Sequence, residues 1–298
     1  MAKGSLSGVR KGKKGDSVYY KIAASNNKDK QGERQYIGAV TNPKTDAQVE
    51  QRMKMTPAVN LYRALKDDVL DHSFQGVKYG ARSHSEFMKM AMQKALNQLP
   101  YVSKGETDII PAPYIISKGG LPDIGVIGMQ DQSFVCGLGL NFEVPEASPY
   151  KDYVDTILWA NPGLKRGDQL TAVCVYRYNG FNQVKVTRLI LDETKYQAGV
   201  RWGLIMAEQG LELTSDGVFV QVPSGAEKIA GALILSRPVL SKSSGSVSWN
   251  RSTTSLWVMP EYLQSWQTEE KLNAAIASYK SNAANPTSDW YLNDGTLG

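Results

Sequence analysis

The chain has 298 residues, of which 42% are hydrophobic and 21% charged, so it can bury a core and form one or two domains. It contains no apolar run long enough to cross a membrane, and no apolar stretch typical of a secretory signal follows its basic N-terminus. Both cysteines, Cys136 and Cys174, lie in apolar, strand-like runs, so we expect buried free thiols. These features predict synthesis in a reducing cytoplasm and no membrane partner.

The net charge of +5 arises at one end of the chain. Residues 1–44 hold ten lysines and arginines against three acidic residues, whereas the rest of the chain holds 24 basic and 26 acidic residues. A basic arm on a near-neutral body is typical of a protein that contacts nucleic acid or another acidic surface. The alternative is a solvated hairpin whose lysines protect its edges from aggregation.

Residues 1–44 predict a basic β-hairpin arm, with strands at 17–22 and 34–40 joined by a polar turn. The glycine-rich stretch before them is not a phosphate-binding loop, because only three residues separate Gly8 from Gly12 and Lys14 follows Lys13 where a hydroxyl residue is required. The candidate residues for binding nucleic acid or a partner are Arg10, Lys11, Lys13, Lys14, Tyr20, Lys21, Lys28, Lys30 and Arg34.

Residues 45–108 predict a helical segment. Thr45 and Gln48 fit a capping box at the start of its first helix. Pro57 either kinks that helix or occupies the first position of a second one. Ser83 and Glu86 fit another capping box, which predicts that a further helix begins there.

Residues 109–262 change to a period of two, with Gly, Pro, Asn and Asp between the apolar runs. Many short strands with intervening turns predict an antiparallel, immunoglobulin-like β-sandwich. Positions 169–178 are largely apolar on both faces, which indicates a central or covered strand. The segment 200–209 fits either a strand or a short helix. The predicted strands are 114–117, 133–142, 155–160, 169–178, 184–191, 217–222, 231–236 and 254–258.

Residues 263–298 predict a C-terminal helix and a polar tail. One aromatic cluster, Trp290, Tyr291 and Leu292, interrupts the polar tail. We expect this cluster to anchor the tail on a partner copy or on the body of the chain. The predicted fold class is therefore α+β, with a basic hairpin, a small helical layer, a β-sandwich, and a C-terminal helix and tail.

The sequence shows little that is typical of catalysis or metal binding. The histidines, His72 and His84, lack the H-x-x-x-H or C-x-x-C partners of a metal site, and no G-x-S-x-G nucleophile elbow is present. We therefore predict no enzyme, no cofactor and no metal. Because carboxylates distant in sequence can meet in a fold, an enzyme with a site of scattered acids remains a third alternative.

Several short motifs together resemble an uncharacterised protein family of gut bacteria and their phages. The resemblance covers roughly residues 10–260 and implies a phage or mobile-element origin, but it supplies no catalytic residues. The motifs are KGDSVYY at 14–20, NPKTDAQ at 42–48 followed by Arg52, SKGGL at 117–121, GALILSR at 231–237 and WNRST at 249–253.

We therefore expect a non-enzymatic phage virion or assembly protein, made in the bacterial cytoplasm and incorporated in the virion. Its partners would be other virion proteins or copies of itself, and its basic arm would be able to touch packaged nucleic acid. The first alternative is a sequence-independent nucleic-acid-binding protein. In either case the lysine-rich arm is suited to phosphates rather than to base edges.

Overall fold

The computed structural model describes residues 3–4, 10–14, 17–21, 31–35, 45–77, 81–94, 108–140, 143–215, 217–240, 245, 247–262, 273, 276–277 and 280. The chain divides into two compact units, one formed by Met1–Thr45 with Thr287–Gly298 and the other by Asp46–Pro286. The described elements are α-helices and antiparallel sheets, so the α+β class predicted from the sequence is confirmed.

The first unit contains a four-stranded antiparallel sheet whose strands follow chain order. The glycine-rich stretch before residue 17 contributes a strand of its own, which the sequence did not predict. The partner of the strand predicted at 17–22 begins three residues earlier than expected, at Gln31 instead of position 34. The strands are β1 (Lys3–Gly4), β2 (Arg10–Lys14), β3 (Ser17–Lys21) and β4 (Gln31–Gln35).

The second unit begins with two helices, α1 (Asp46–Leu65) and α2 (Ala81–Lys94), and a π-helical turn (Lys66–Leu70) directly follows α1. Pro57 lies inside α1, so one helix continues through the proline. The capping box predicted at Ser83 is wrong, because α2 begins two residues earlier. The Ser83 hydroxyl instead donates to the Asp71 carbonyl oxygen at 3.0 Å.

Two larger antiparallel sheets follow, one of five strands in the order β13-β12-β8-β9 with β15 also on β12, and one of four strands in the order β10-β11-β7-β6. A short pair, β14 and β5, lies beside them. The strands are β5 (Ile115–Ser117), β6 (Val126–Gln130), β7 (Ser133–Cys136), β8 (Gln169–Tyr178), β9 (Phe181–Ile190), β10 (Leu211–Thr214), β11 (Gly217–Val220), β12 (Glu227–Leu240), β13 (Val247–Arg251), β14 (Thr254–Ser255) and β15 (Trp257–Val258).

Two helices lie within the segment predicted as a sandwich, α3 (Tyr150–Ala160) and α4 (Trp202–Gln209). The strand predicted at 155–160 is therefore wrong. Tyr150, Tyr153, Val154 and Ile157 are all buried, and their spacing of three and four residues marks one helical face. The short apolar run within this helix fits both periods when it is read alone. For 200–209, the structure decides between the two predicted alternatives in favour of the helix.

The central strand β8 is covered on both faces, as its sequence predicted. Leu170, Ala172 and Cys174 belong to a core shared with the four-stranded sheet, α3 and α4. Val173 and Val175 belong to a second core, formed with α1, α2 and the π-helical turn. Both cysteines are free, and Cys174 is fully buried, which confirms the prediction of buried thiols for Cys174, whereas Cys136 is only partly buried.

A glycine controls how closely the five-stranded and four-stranded sheets approach each other. A Cβ atom placed on Gly231 of β12 would lie 2.5 Å from the Phe134 ring of β7. Phe134 is 2% exposed, so its ring has no room to retreat. The aromatic ring therefore occupies the space that any other residue at position 231 would need.

We expect Gly231→Ala to lower the free energy of unfolding by about 1–3 kcal/mol, because it overfills a packed core. Gly163→Ala is the matched control, since a Cβ atom there meets nothing within 4 Å. Denaturant titration of both variants measures the difference. Equal effects at the two positions would contradict this account of the sheet packing.

Candidate nucleic-acid interface

Strand register divides the basic residues of the first sheet between two faces. Residues directly opposite each other in an antiparallel sheet share a face, as do alternate residues along one strand. Lys13 lies opposite Val18, which in turn lies opposite Arg34. Lys11 is two residues before Lys13 and pairs with Lys3. The resulting face, here called the basic face, carries Lys3, Lys11, Lys13, Val18, Tyr20 and Arg34.

The opposite face is mixed in charge. Glu33 pairs with Tyr19 there, so a carboxylate residue lies among the cationic positions Arg10, Lys14 and Lys21. The four cations clustered in the sequence at 10–14 are therefore divided, with Lys11 and Lys13 on the basic face. They do not form one continuous track on a single side of the sheet.

The spacing on the basic face suits a polyanion. Lys11 and Lys13 are separated by about 7 Å along β2, and Lys13 and Arg34 by about 10 Å across two strand spacings. Cations at these separations can contact several neighbouring phosphates of one nucleic-acid strand. Tyr20 occupies a strand position on the same face, whereas Tyr19 occupies a position on the mixed face.

The structure describes only part of the predicted binding set. Arg34 is exposed. Lys28 and Lys30, and the predicted anchor of Trp290, Tyr291 and Leu292, lie outside the described residues. From the C-terminal segment 263–298, the structure describes residues 273, 276, 277 and 280, and these four are helical.

One buried lysine was not singled out from the sequence. Lys228 is 1% exposed, and burial lowers its pKa to about 8. Its ammonium group donates to the Gln132 carbonyl oxygen and lies 4.1 Å from the centre of the Phe219 ring. Gln132 adopts a positive φ of 69° in the turn between β6 and β7. Lys228 thus closes a strained turn, which is a structural role.

Two neighbouring glutamates and a third from a distant part of the sequence line a cavity of about 560 Å³, here called the acidic cavity. They are Glu143, Glu146 and Glu212. Burial first, and then the charges of Glu146 and Glu143, raise the pKa of Glu212 above its ordinary value. Tyr153 and Trp202 also line this cavity, with their rings stacked at 4.5 Å.

An acid of raised pKa beside further carboxylates is an arrangement that can hold a proton for general acid chemistry. Local sequence spacing carried no signal of it, because Glu212 is far along the chain from the other two. Among the described residues, no group of three His, Cys, Asp or Glu side chains converges as a metal site. No described helix is long and apolar enough to cross a membrane.

We expect Glu212→Gln to raise the melting temperature at pH 7.5. The pKa of Glu212 is higher in the folded protein than its ordinary value of 4.5, which applies to the unfolded chain. Below pH 4.5 the protonated carboxyl costs the folded protein nothing. As the pH rises through the folded-state pKa, the carboxyl ionises and the folded protein loses stability. The gain from Glu212→Gln should therefore shrink at pH 4. Glu208→Gln, at an exposed position of α4, is the control in the same thermal melts. A gain that is larger at pH 4 than at pH 7.5 would contradict the raised pKa.

No protein-family model, curated protein or solved structure matches this chain. The resemblance to a family of gut bacteria and their phages therefore stays a prediction that rests on the short motifs.

Proposed function

We propose that the chain is a non-enzymatic assembly protein of a phage virion, which contacts other virion proteins or copies of itself and touches packaged nucleic acid with its basic face. The observation that supports the nucleic-acid contact is the strand register. It gathers Lys3, Lys11, Lys13 and Arg34 on one face of a small sheet, and that face carries no acidic residue at its described strand positions.

The contact would be with phosphates, because lysines on short strands offer point charges and backbone amides but no helix that could enter a groove. Binding is then independent of sequence and weakens steeply as salt rises. Tyr20 would stack on an unpaired base and so favour single strands over duplexes.

The rest of the proposal concerns assembly. The two packed antiparallel sheets share one apolar core, which supports an immunoglobulin-like arrangement for the segment 109–262. The aromatic cluster of the tail would anchor one copy on the next. The first alternative, a nucleic-acid-binding protein outside any particle, would use the same basic face but would not need this anchor.

A second candidate function, an enzyme, is favoured by the acidic cavity alone. The raised pKa of Glu212 beside two further glutamates and a stacked pair of rings suits a site that protonates a bound substrate. A hydrolytic activity that is found in the wild type and lost in Glu212→Gln, with folding retained, would favour this candidate over the assembly protein.

We expect the variant Lys11→Gln, Lys13→Gln, Arg34→Gln to lose most of its affinity for mixed-sequence DNA. If the wild type contacts three phosphates through these residues, the slope of log affinity against log salt is about −2 to −3, and the variant should approach zero. Fluorescence anisotropy at several salt concentrations measures the slope on single-stranded and duplex DNA.

The variant Arg10→Gln, Lys14→Gln, Lys21→Gln removes the same charge from the mixed face and is the matched control. It should keep a slope close to that of the wild type. Equal losses in the two variants would show that only net charge matters, and no binding by the wild type at low salt would remove the nucleic-acid contact from the proposal.

We expect truncation after Lys280 to lower the oligomer mass or the melting temperature, because it removes the aromatic anchor. Truncation after Leu292 keeps the anchor and removes only polar tail, so it should behave as the wild type. Light scattering and thermal melts compare the three proteins. If the two truncations behave alike, the aromatic cluster is not an anchor.

A further inference from the structure

A polar cavity of about 240 Å³ lies between the π-helical turn and the helix-facing side of the five-stranded sheet. All of its lining residues belong to the second unit, so it is independent of the basic face and of the function proposed above. We call it the polar pocket. A π-helical turn is rare and often marks a functional site.

The sheet turns from apolar to polar where this pocket begins. On the helix-facing side of β8, Val173 and Val175 pack under the helices, but Thr171 and Gln169 line the pocket. The same change occurs on β12, where Ile234 is followed on that face by Ser236. The helices that pack on this face of the sheet thus end at the π-helical turn. Beyond that point the sheet presents polar side chains to the cavity.

The interior of the pocket offers hydrogen-bond donors. Ser236 is 4% exposed, and within the described part of the chain its hydroxyl has no hydrogen-bond partner. The same holds for the indole N–H of Trp249, which also lines the pocket. Arg251 pairs with Ser236 across β12 and β13 and adds a guanidinium. Indole and guanidinium groups donate but cannot accept, so the groups here are complementary to an acceptor.

The acids of the pocket lie at its rim and face cations. The Asp67 side chain is 90% exposed, with the Lys66 ammonium 3.8 Å away. The Asp68 side chain is 60% exposed, with the Arg188 guanidinium 3.7 Å away, and Arg188 also donates to the Asp68 carbonyl oxygen. Each rim carboxylate thus has a cation within 4 Å that offsets its charge.

Two of the short motifs that stand out in the sequence line this pocket, and a third packs against one of them. Ser236 belongs to the segment 231–237, and Trp249 and Arg251 belong to the segment 249–253. The segment 117–121 packs closely against the backbone of Arg251. The approach is so close that a Cβ atom on Gly119 would overlap the Arg251 carbonyl oxygen. The Gly119 amide also donates to the Thr253 hydroxyl at 3.1 Å. Only glycine allows the backbone to approach here, and the approach holds the end of β13 in place.

We propose that the polar pocket binds a small organic anion. Its carboxylate or phosphate accepts hydrogen bonds from Ser236 and Arg251, whose Cβ atoms are about 5 Å apart as directly opposed residues. Its flat body lies along Trp249, two residues from Arg251 on the same face of β13. The volume is below the 300–1,000 Å³ usual for larger ligands, so the ligand has about ten non-hydrogen atoms.

Benzoate and phenyl phosphate test the two anionic groups on one ring, and benzyl alcohol supplies the same ring without a charge. We expect at least one of the two anions to bind the full chain in calorimetric titration and to raise its melting temperature. Benzyl alcohol should bind at least tenfold more weakly. Binding of benzoate alone identifies a carboxylate ligand, and binding of phenyl phosphate alone identifies a phosphate ligand.

Arg251→Gln should weaken binding of the anion by about tenfold or more, because it removes a charged donor. Arg63→Gln, at an exposed position of α1, makes the same charge change away from the pocket and should leave binding unchanged. Ser236→Ala should also weaken binding and serves as the test if Arg251→Gln does not fold. Binding of neither anion, equal binding of benzyl alcohol, or equal effects of Arg251→Gln and Arg63→Gln would overturn the proposal.

Discussion

The pairing of β8 with β12 constrains the whole second unit. The two strands pair from Glu227↔Arg177 to Ser236↔Gln169, and along most of this length both faces are apolar. Such strands cannot leave either face in water, because the burial of both faces supplies the hydrophobic stabilisation of the sheet. The helices must therefore cover one face, and the four-stranded sheet with α3 and α4 must cover the other. The missing side chain of Gly231 allows the four-stranded sheet to approach β12 closely.

At one end of this sheet, an ion pair and polar side chains take the place of apolar packing. Asp168, directly before β8, is fully buried, and its two carboxylate oxygens accept hydrogen bonds from Arg237 of β12 at 2.7 and 2.6 Å. A buried carboxylate is tolerated only with a partner of this kind, so the pair ties the start of β8 to β12. The polar pocket lies beside this end of the sheet, where Ser236 and Gln169 form a row.

The described strands of the first unit carry more charged than apolar residues. Among the described residues on its basic face, Val18 is the one aliphatic side chain, between Lys13 and Arg34. Short strands of this composition gain little from burial, and their lysines discourage edge-to-edge pairing. In the function proposed here, the same lysines would contact the phosphates of a nucleic acid. Binding and protection from aggregation would then draw on the same residues in this unit.

The sequence alone determined the α+β class, the buried thiol of Cys174 and the bounds of β8, because alternation followed by the Asn179-Gly180 turn is a local signal. Local signals failed for α3, where a short apolar run fits two periods. Only the tertiary structure decided which cations share the basic face, that Glu212 meets two other glutamates, and that Ser236 and Arg251 face the π-helical turn. Each of these three features depends on strand register or on contacts between distant segments. The spacing of neighbouring residues in the sequence does not encode register or long-range contacts.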